Sequence, residues 1–154
     1  MKKKLKIFLI ILIPCLCAWL ISTYLFQCML IQGRSMEPAY HHLQFVVVDK
    51  RPTTYQQGDV VLLYSAGLDA TIVKRIAAGP GERVIIKDQT LYVNDVPSGL
   101  YPAGSIAYGG LLSEEVQLGA EEYIVLGDNL AESKDSRYEE VGIIHTQDII
   151  GKLM

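Results

Sequence analysis

"ATIVKRIAA" (residues 70–78) is an unbroken run without Gly or Pro, rich in β-branched residues through its first half. Read at a period of two, it puts Ile72, Lys74 and Ile76 on one face and Val73 and Arg75 on the other, which is the pattern of a strand. Runs of the same kind lie on both sides: "FVVVDK" (45–50), "DVVLLYS" (59–65), "RVIIKD" (83–88), "TLYVN" (90–94) and "EYIVLG" (122–127). "QQGD", "AGPGE", "KDQT" and "LGDN" separate them with turn residues. The chain past residue 31 is therefore expected to be one mainly β domain. "RVIIKDQTLYVND" reads as a hairpin turning near Asp88-Gln89, and the Gly- and Pro-rich "VPSGLYPAGSIAYGG" (96–110) as a long surface loop.

Ahead of this domain the pattern changes completely. From Ile7 to Ile31, "IFLIILIPCLCAWLISTYLFQCMLI" contains no charged residue, and about 20 apolar residues suffice for a helix to span a bilayer. "MKKKLK" precedes it, with four lysines in six residues, and the positive-inside bias keeps such a head cytoplasmic. The expected organisation is a cytoplasmic head (1–6), a transmembrane anchor (7–31) and an extracytoplasmic domain (32–154). A cleaved signal peptide is the competing reading. The run is longer than an h-region and no small-x-small site follows it, while "LIPC" has Pro14 where a lipoprotein site wants a small residue.

Charge and cysteine placement exclude several function classes. The chain has 14 basic and 17 acidic residues; with the four head lysines set aside, ten basic residues face 17 acidic ones, a formal charge of −7. That balance offers nucleic acid no basic patch. Cys15, Cys17 and Cys28 all fall in the apolar run, which leaves the outer domain no disulfide framework and no Cys-based metal site.

Chemistry has to come from other side chains. Ser35 stands in "GRSMEP" (33–38), close behind the apolar run. A nucleophilic serine needs a base, and the three histidines are poorly placed to supply one. His41 and His42 follow Ser35 too closely, and His145 sits in a terminal "GIIHTQD", so surface or half-buried roles suit them, and adjacent histidines without a third ligand are a weak metal signal. A lysine held neutral by burial can replace histidine, and Lys74 between Ile72 and Ile76 has such a setting. An edge-strand lysine that discourages aggregation would produce the same pattern. "DNLAESKD" (128–135) lacks the alternating ligands and central glycine of an EF-hand loop.

Three segments decide between these alternatives: "GRSMEP" (33–38), "VKRIAAGPGERV" (73–84) and "LGDNLAESKDSR" (126–137). In this order and spacing they resemble the hallmark motifs of bacterial type I signal peptidases, in a short form similar to Gram-positive members. The resemblance implies a compact antiparallel β domain on one transmembrane helix, acting as a Ser-Lys serine protease without a cofactor or metal. Ser35 then matches the nucleophile and Lys74 the general base. Ser133 matches a serine that hydrogen-bonds the lysine, Asp135 and Arg137 a bracing pair, and Asp128 a further structural acid. The Ser35 backbone N–H matches an oxyanion donor, alone or with a neighbouring amide, since Gly33 stands where some members carry a serine that assists.

Other departures are Ala39 for the usual Thr, and Leu43-Gln44 for a Gly-Asp; both shape a turn. The resemblance further implies exported preproteins as substrates, with small residues at −1 and −3, and the bilayer as the second partner. Counting from Ile31, Ser35 should lie within about 15 Å along the chain from the membrane. A catalytically idle relative in surface-structure assembly would have lost the dyad. A self-cleaving repressor would carry a DNA-binding module in place of an anchor. Nothing in the sequence speaks to oligomeric state.

Overall fold

A computed structural model describes residues 2–154. Helix α1 (Lys2–Tyr24) is followed by eleven strands: β1 (Phe26–Leu30), β2 (Phe45–Asp49), β3 (Val60–Ser65), β4 (Ala70–Ala78), β5 (Arg83–Lys87), β6 (Thr90–Val93), β7 (Val96–Pro97), β8 (Val116–Gln117), β9 (Glu122–Leu126), β10 (Ile144–His145) and β11 (Ile149–Leu153). All their pairings are antiparallel. They form a seven-stranded sheet in the order β1-β2-β11-β3-β4-β9-β10 and a four-stranded sheet in the order β7-β6-β5-β8. The expected mainly β domain is what the chain builds.

β3 shows why the large sheet is stable. Val60 and Leu62 join a cluster with Met36, Val48 and Val73, whereas Val61 and Leu63 join one with Ile76, Tyr123 and Val125. A strand covered on both faces reads as continuous apolar sequence, hence "VVLL". The alternation expected of β4 holds: Ile72 and Ile76 pack in the second of these clusters and Val73 in the first. A third cluster, including Ala78, Val84, Leu91 and Leu126, joins the two sheets. Asp88 and Gln89 both take positive φ, 49° and 58°, as a two-residue hairpin turn with right-handed strands requires. The segment expected as a long surface loop at 96–110 begins with β7 and buries Ile106.

The N-terminal region departs from the expected single anchor helix. The 7–31 run is not one helix: α1 ends at Tyr24, and Phe26–Leu30 pairs residue for residue with Phe45–Asp49. Five backbone pairs with an existing strand offer these residues more than extension of a helix into water, and Met29 reaches the core of the domain as a result. Ser35 is thus separated from the helix by a whole strand rather than by four residues. Among the described residues no helix is long and apolar enough to cross a membrane. What α1 does present is a large exposed apolar surface, including Phe8, Ile10, Ile13, Leu16 and Trp19, around a helix that contains Pro14.

Candidate active site

Ser35 lies in a turn between β1 and β2, fixed by two backbone contacts: Glu37 N–H donates to Arg34 O at 3.1 Å, and Asn129 N–H donates to Ser35 O at 3.0 Å. A third contact had no sequence signal. Gly33 takes φ of +97°, a value suited to glycine, and its N–H donates to His42 Nδ1 at 3.0 Å. His42 therefore holds the turn and does not approach Ser35 as a base. With Gly33 N–H engaged, Ser35's own N–H donates to no other group among the described residues.

β4 delivers Lys74 to this turn. Its Nζ is 2.8 Å from Ser35 Oγ, and the residue is 3% exposed. Burial pushes Lys74 down to about 8; the Arg137 charge adds to the effect, while Asp135 and Asp128 oppose it. The direction follows from solvation, since an ammonium taken out of water without a carboxylate contact loses stability relative to the amine. At pH 7 roughly one Lys74 in ten is then neutral, against well under one in a thousand at the ordinary value. A neutral amine in hydrogen-bond reach of a hydroxyl can accept its proton and so activate the serine. The reading of Lys74 as a solvent-facing edge lysine does not hold, because its side chain is buried and its Nζ is directed at Ser35 Oγ.

The loop after β9 braces the pair. Asp135 and Arg137 are both buried and joined twice, Nε to Oδ1 at 2.8 Å and Nη2 to Oδ2 at 3.0 Å. Arg137 also donates to Leu130 O, Ser133 O and Tyr108 O, while Asp135 accepts from Gly127 N–H. Every polar edge of this buried pair is satisfied, the condition under which such a pair is tolerated in an interior. Asp128 makes a bidentate bridge to Arg75, at 2.6 and 2.5 Å. Arg75 in turn donates to Gly58 O, tying β4 to the loop on the face opposite Lys74. That partner was missed in the sequence because alternation directs Arg75 away from the site.

Ser133 reaches the site but not the lysine. Its hydroxyl is buried and has no hydrogen-bond partner among the described residues, so the bond that the resemblance implies is not formed. Its closeness to Ser35 is visible through Gly127, where an added Cβ would collide with both Ser133 Oγ and Ser35 O. Glycine here is a requirement of close approach, and only the turn-like "LGDN" hinted at it.

Beside the pair runs a cavity of about 300 Å³, walled by Met29–Gln32 on one side and Thr71–Lys74 on the other. β1 is an edge strand, and β9 covers β4 only from Arg75 onward. Two unpaired strand edges therefore flank the groove, an arrangement that accepts an extended peptide.

Comparison with known proteins places the chain in a family. The family described as signal peptidase, peptidase S26, matches residues 4–154. A signal peptidase I of Bacillus licheniformis is 32% identical over 152 residues, covering 92% of this chain and 81% of that protein. Signal peptidase I T of Bacillus subtilis strain 168 is also 32% identical, covering 92% and 78%. The crystal structure of a signal peptidase I from Enterococcus faecalis V583 superposes with a TM-score of 0.52 at 25% identity, over 66% of this chain and 97% of that one. The family match along residues 4–154 and the 32% identity to the two Bacillus enzymes over most of their length make the chain a member of the peptidase S26 family, a serine peptidase of the signal peptidase I type.

Proposed function

We propose that the protein removes N-terminal signal peptides from exported preproteins, with Ser35 as nucleophile and Lys74 as general base. The observation that carries the assignment of roles is the 2.8 Å contact between Lys74 Nζ and Ser35 Oγ at a lysine that burial keeps partly neutral. The substrate enters as an extended strand between β1 and β4, with small residues at −1 and −3. Lys74 takes the Ser35 proton as Oγ attacks the scissile carbonyl, and the Ser35 N–H faces the developing oxyanion. The leaving amine takes the proton back from the Lys74 ammonium. A water then gives a proton to the neutral Lys74 amine as its oxygen attacks the acyl carbon; the bond from that carbon to Ser35 Oγ breaks, and Oγ takes the proton back from the Lys74 ammonium.

The second part of the proposal is location. Ile7–Tyr24, uncharged and helical, is about 27 Å long at 1.5 Å per residue, close to the ~30 Å hydrocarbon core. With its exposed apolar surface it acts as a single-pass anchor, the basic head in the cytoplasm and the β domain outside. The test is incubation of the full chain in lipid vesicles with a model preprotein, followed by sequencing of the new N-terminus. One cut after a small-x-small sequence, lost in Ser35→Ala, is the expected result; an uncut preprotein, or a cut that persists in Ser35→Ala, would refute the reading.

A further inference from the structure

Helix α1 ends in a way that its own sequence does not provide for. The last four carbonyls of a helix lack intrahelical donors, and the aligned peptide dipoles leave partial negative charge there. A basic residue in the last turn or a glycine just beyond it commonly answers this. α1 has no basic residue in its last turn, and Leu25 leads directly from Tyr24 into β1. The cation arrives instead from the far end of β2. Lys50 Nζ lies 3.3 Å from Ser22 O and 3.5 Å from Thr23 O. The backbone N–H of the same residue donates to Leu25 O at 2.9 Å. One residue thus grips the helix end with its side chain and the helix–strand link with its backbone. Beside it, the Arg51 guanidinium sits 4.7 Å from the centre of the Phe26 ring at the start of β1.

We infer that Lys50 is a positioning residue that fixes the angle at which α1 leaves the β domain, and with it the height of the Ser35 groove above the membrane. This rests on the reading of α1 as the membrane anchor. The link is a single residue, Leu25, and the strand it leads into supplies Met29 and Leu30 to the groove wall. Any swing at the link therefore moves the groove relative to the bilayer. A preprotein whose signal segment is held in the same bilayer presents its scissile bond at a fixed height and depends on that angle. A short soluble peptide carrying the same cleavage site diffuses in and does not.

The experiment uses the full chain in lipid vesicles, as parent, Lys50→Met and Lys50→Arg. In Lys50→Met, cleavage of the vesicle-inserted preprotein should fall about fivefold, the size expected from losing a cation at a helix C-terminus, with soluble-peptide cleavage within about twofold of the parent. Lys50→Arg should restore preprotein cleavage. Equal losses on both substrates, or no loss on either, would overturn the proposal. A second readout does not depend on activity: the distance distribution between spin labels on Cys15 and on Lys87→Cys, with Cys17 and Cys28 replaced by Ser. It should broaden in Lys50→Met and narrow again in Lys50→Arg; an unchanged distribution would overturn the proposal. A parent inactive on both substrates strikes at the peptidase reading instead, and the label distances still decide the role of Lys50.

Discussion

Two cationic side chains are buried in this domain, and they are treated oppositely. Arg137, 1% exposed, is enclosed by a carboxylate and three backbone carbonyls; Lys74, 3% exposed, touches one neutral hydroxyl. Full pairing makes the first a brace. Burial, with no carboxylate in contact to offset it, drives the second toward neutrality, the state a base requires. Burial alone, then, does not tell a structural cation from a reactive one; what surrounds the nitrogen does.

The largest expected effect of breaking this contrast is on activity. Lys74→Arg installs a guanidinium that effectively never deprotonates, so preprotein cleavage should drop by roughly 10³-fold or more, about 4 kcal/mol in barrier, to the level of Ser35→Ala. A folded Lys74→Arg enzyme with most of the parent's rate would show the base to be misassigned.

Next in size is an opposed pair of stability changes, read by denaturant unfolding at pH 7. Arg137→Met strands Asp135 as a buried unpaired carboxylate and should cost about 3–5 kcal/mol. Lys74→Met removes an ammonium that the fold disfavours and should stabilise by about 1 kcal/mol. The sign follows from proton binding. Lys74 titrates near 8 when folded and near its ordinary 10.5 when unfolded, so the unfolded chain binds more protons between these values. Stability of the parent therefore rises with pH across that window, and the advantage of Lys74→Met should shrink over the same range. Destabilisation by both substitutions would erase the distinction.

The smallest expected effect supplies a control away from both cations. Leu43 is exposed and held at φ of +62°, where the resemblance calls for glycine. Leu43→Gly relieves that backbone and should stabilise by about 1 kcal/mol while leaving the pH dependence of cleavage unchanged. A shifted pH profile would mean that Lys74 responds to global stability rather than to its own surroundings.

What the sequence made legible follows from where its signals are local. β2 to β6 and β9 stood out because alternation, β-branching and turn residues coincide within a few positions, and Ile72 and Ile76 packed together on the face that period two assigned them. β11 carries no such local signal: "IIGKL" is a strand because it fits between β2 and β3, and Gly151 is there because a Cβ would meet the Asp49 carbonyl. β1 disappeared into the apolar run, since hydrophobicity alone does not distinguish a membrane helix from a strand that lines a core. At the site, the order of the motifs picked out Ser35, Lys74, Asp128, Ser133, Asp135 and Arg137, and folding gathers them around one loop. The Arg75 clamp, the His42 contact and the unpartnered Ser133 hydroxyl depend on distances between distant segments, which no local pattern encodes.

The claim that the environment of Lys74 makes it a base is tested most directly by the rate of preprotein cleavage from about pH 5 to 10. Because the neutral amine is the active form, the rate should climb with pH through an inflection near the value of about 8 that burial imposes on Lys74, and level off above it. An acid limb centred near 6.5, the ordinary range of histidine, or a rate still rising at pH 10 as for an unperturbed lysine, would contradict it.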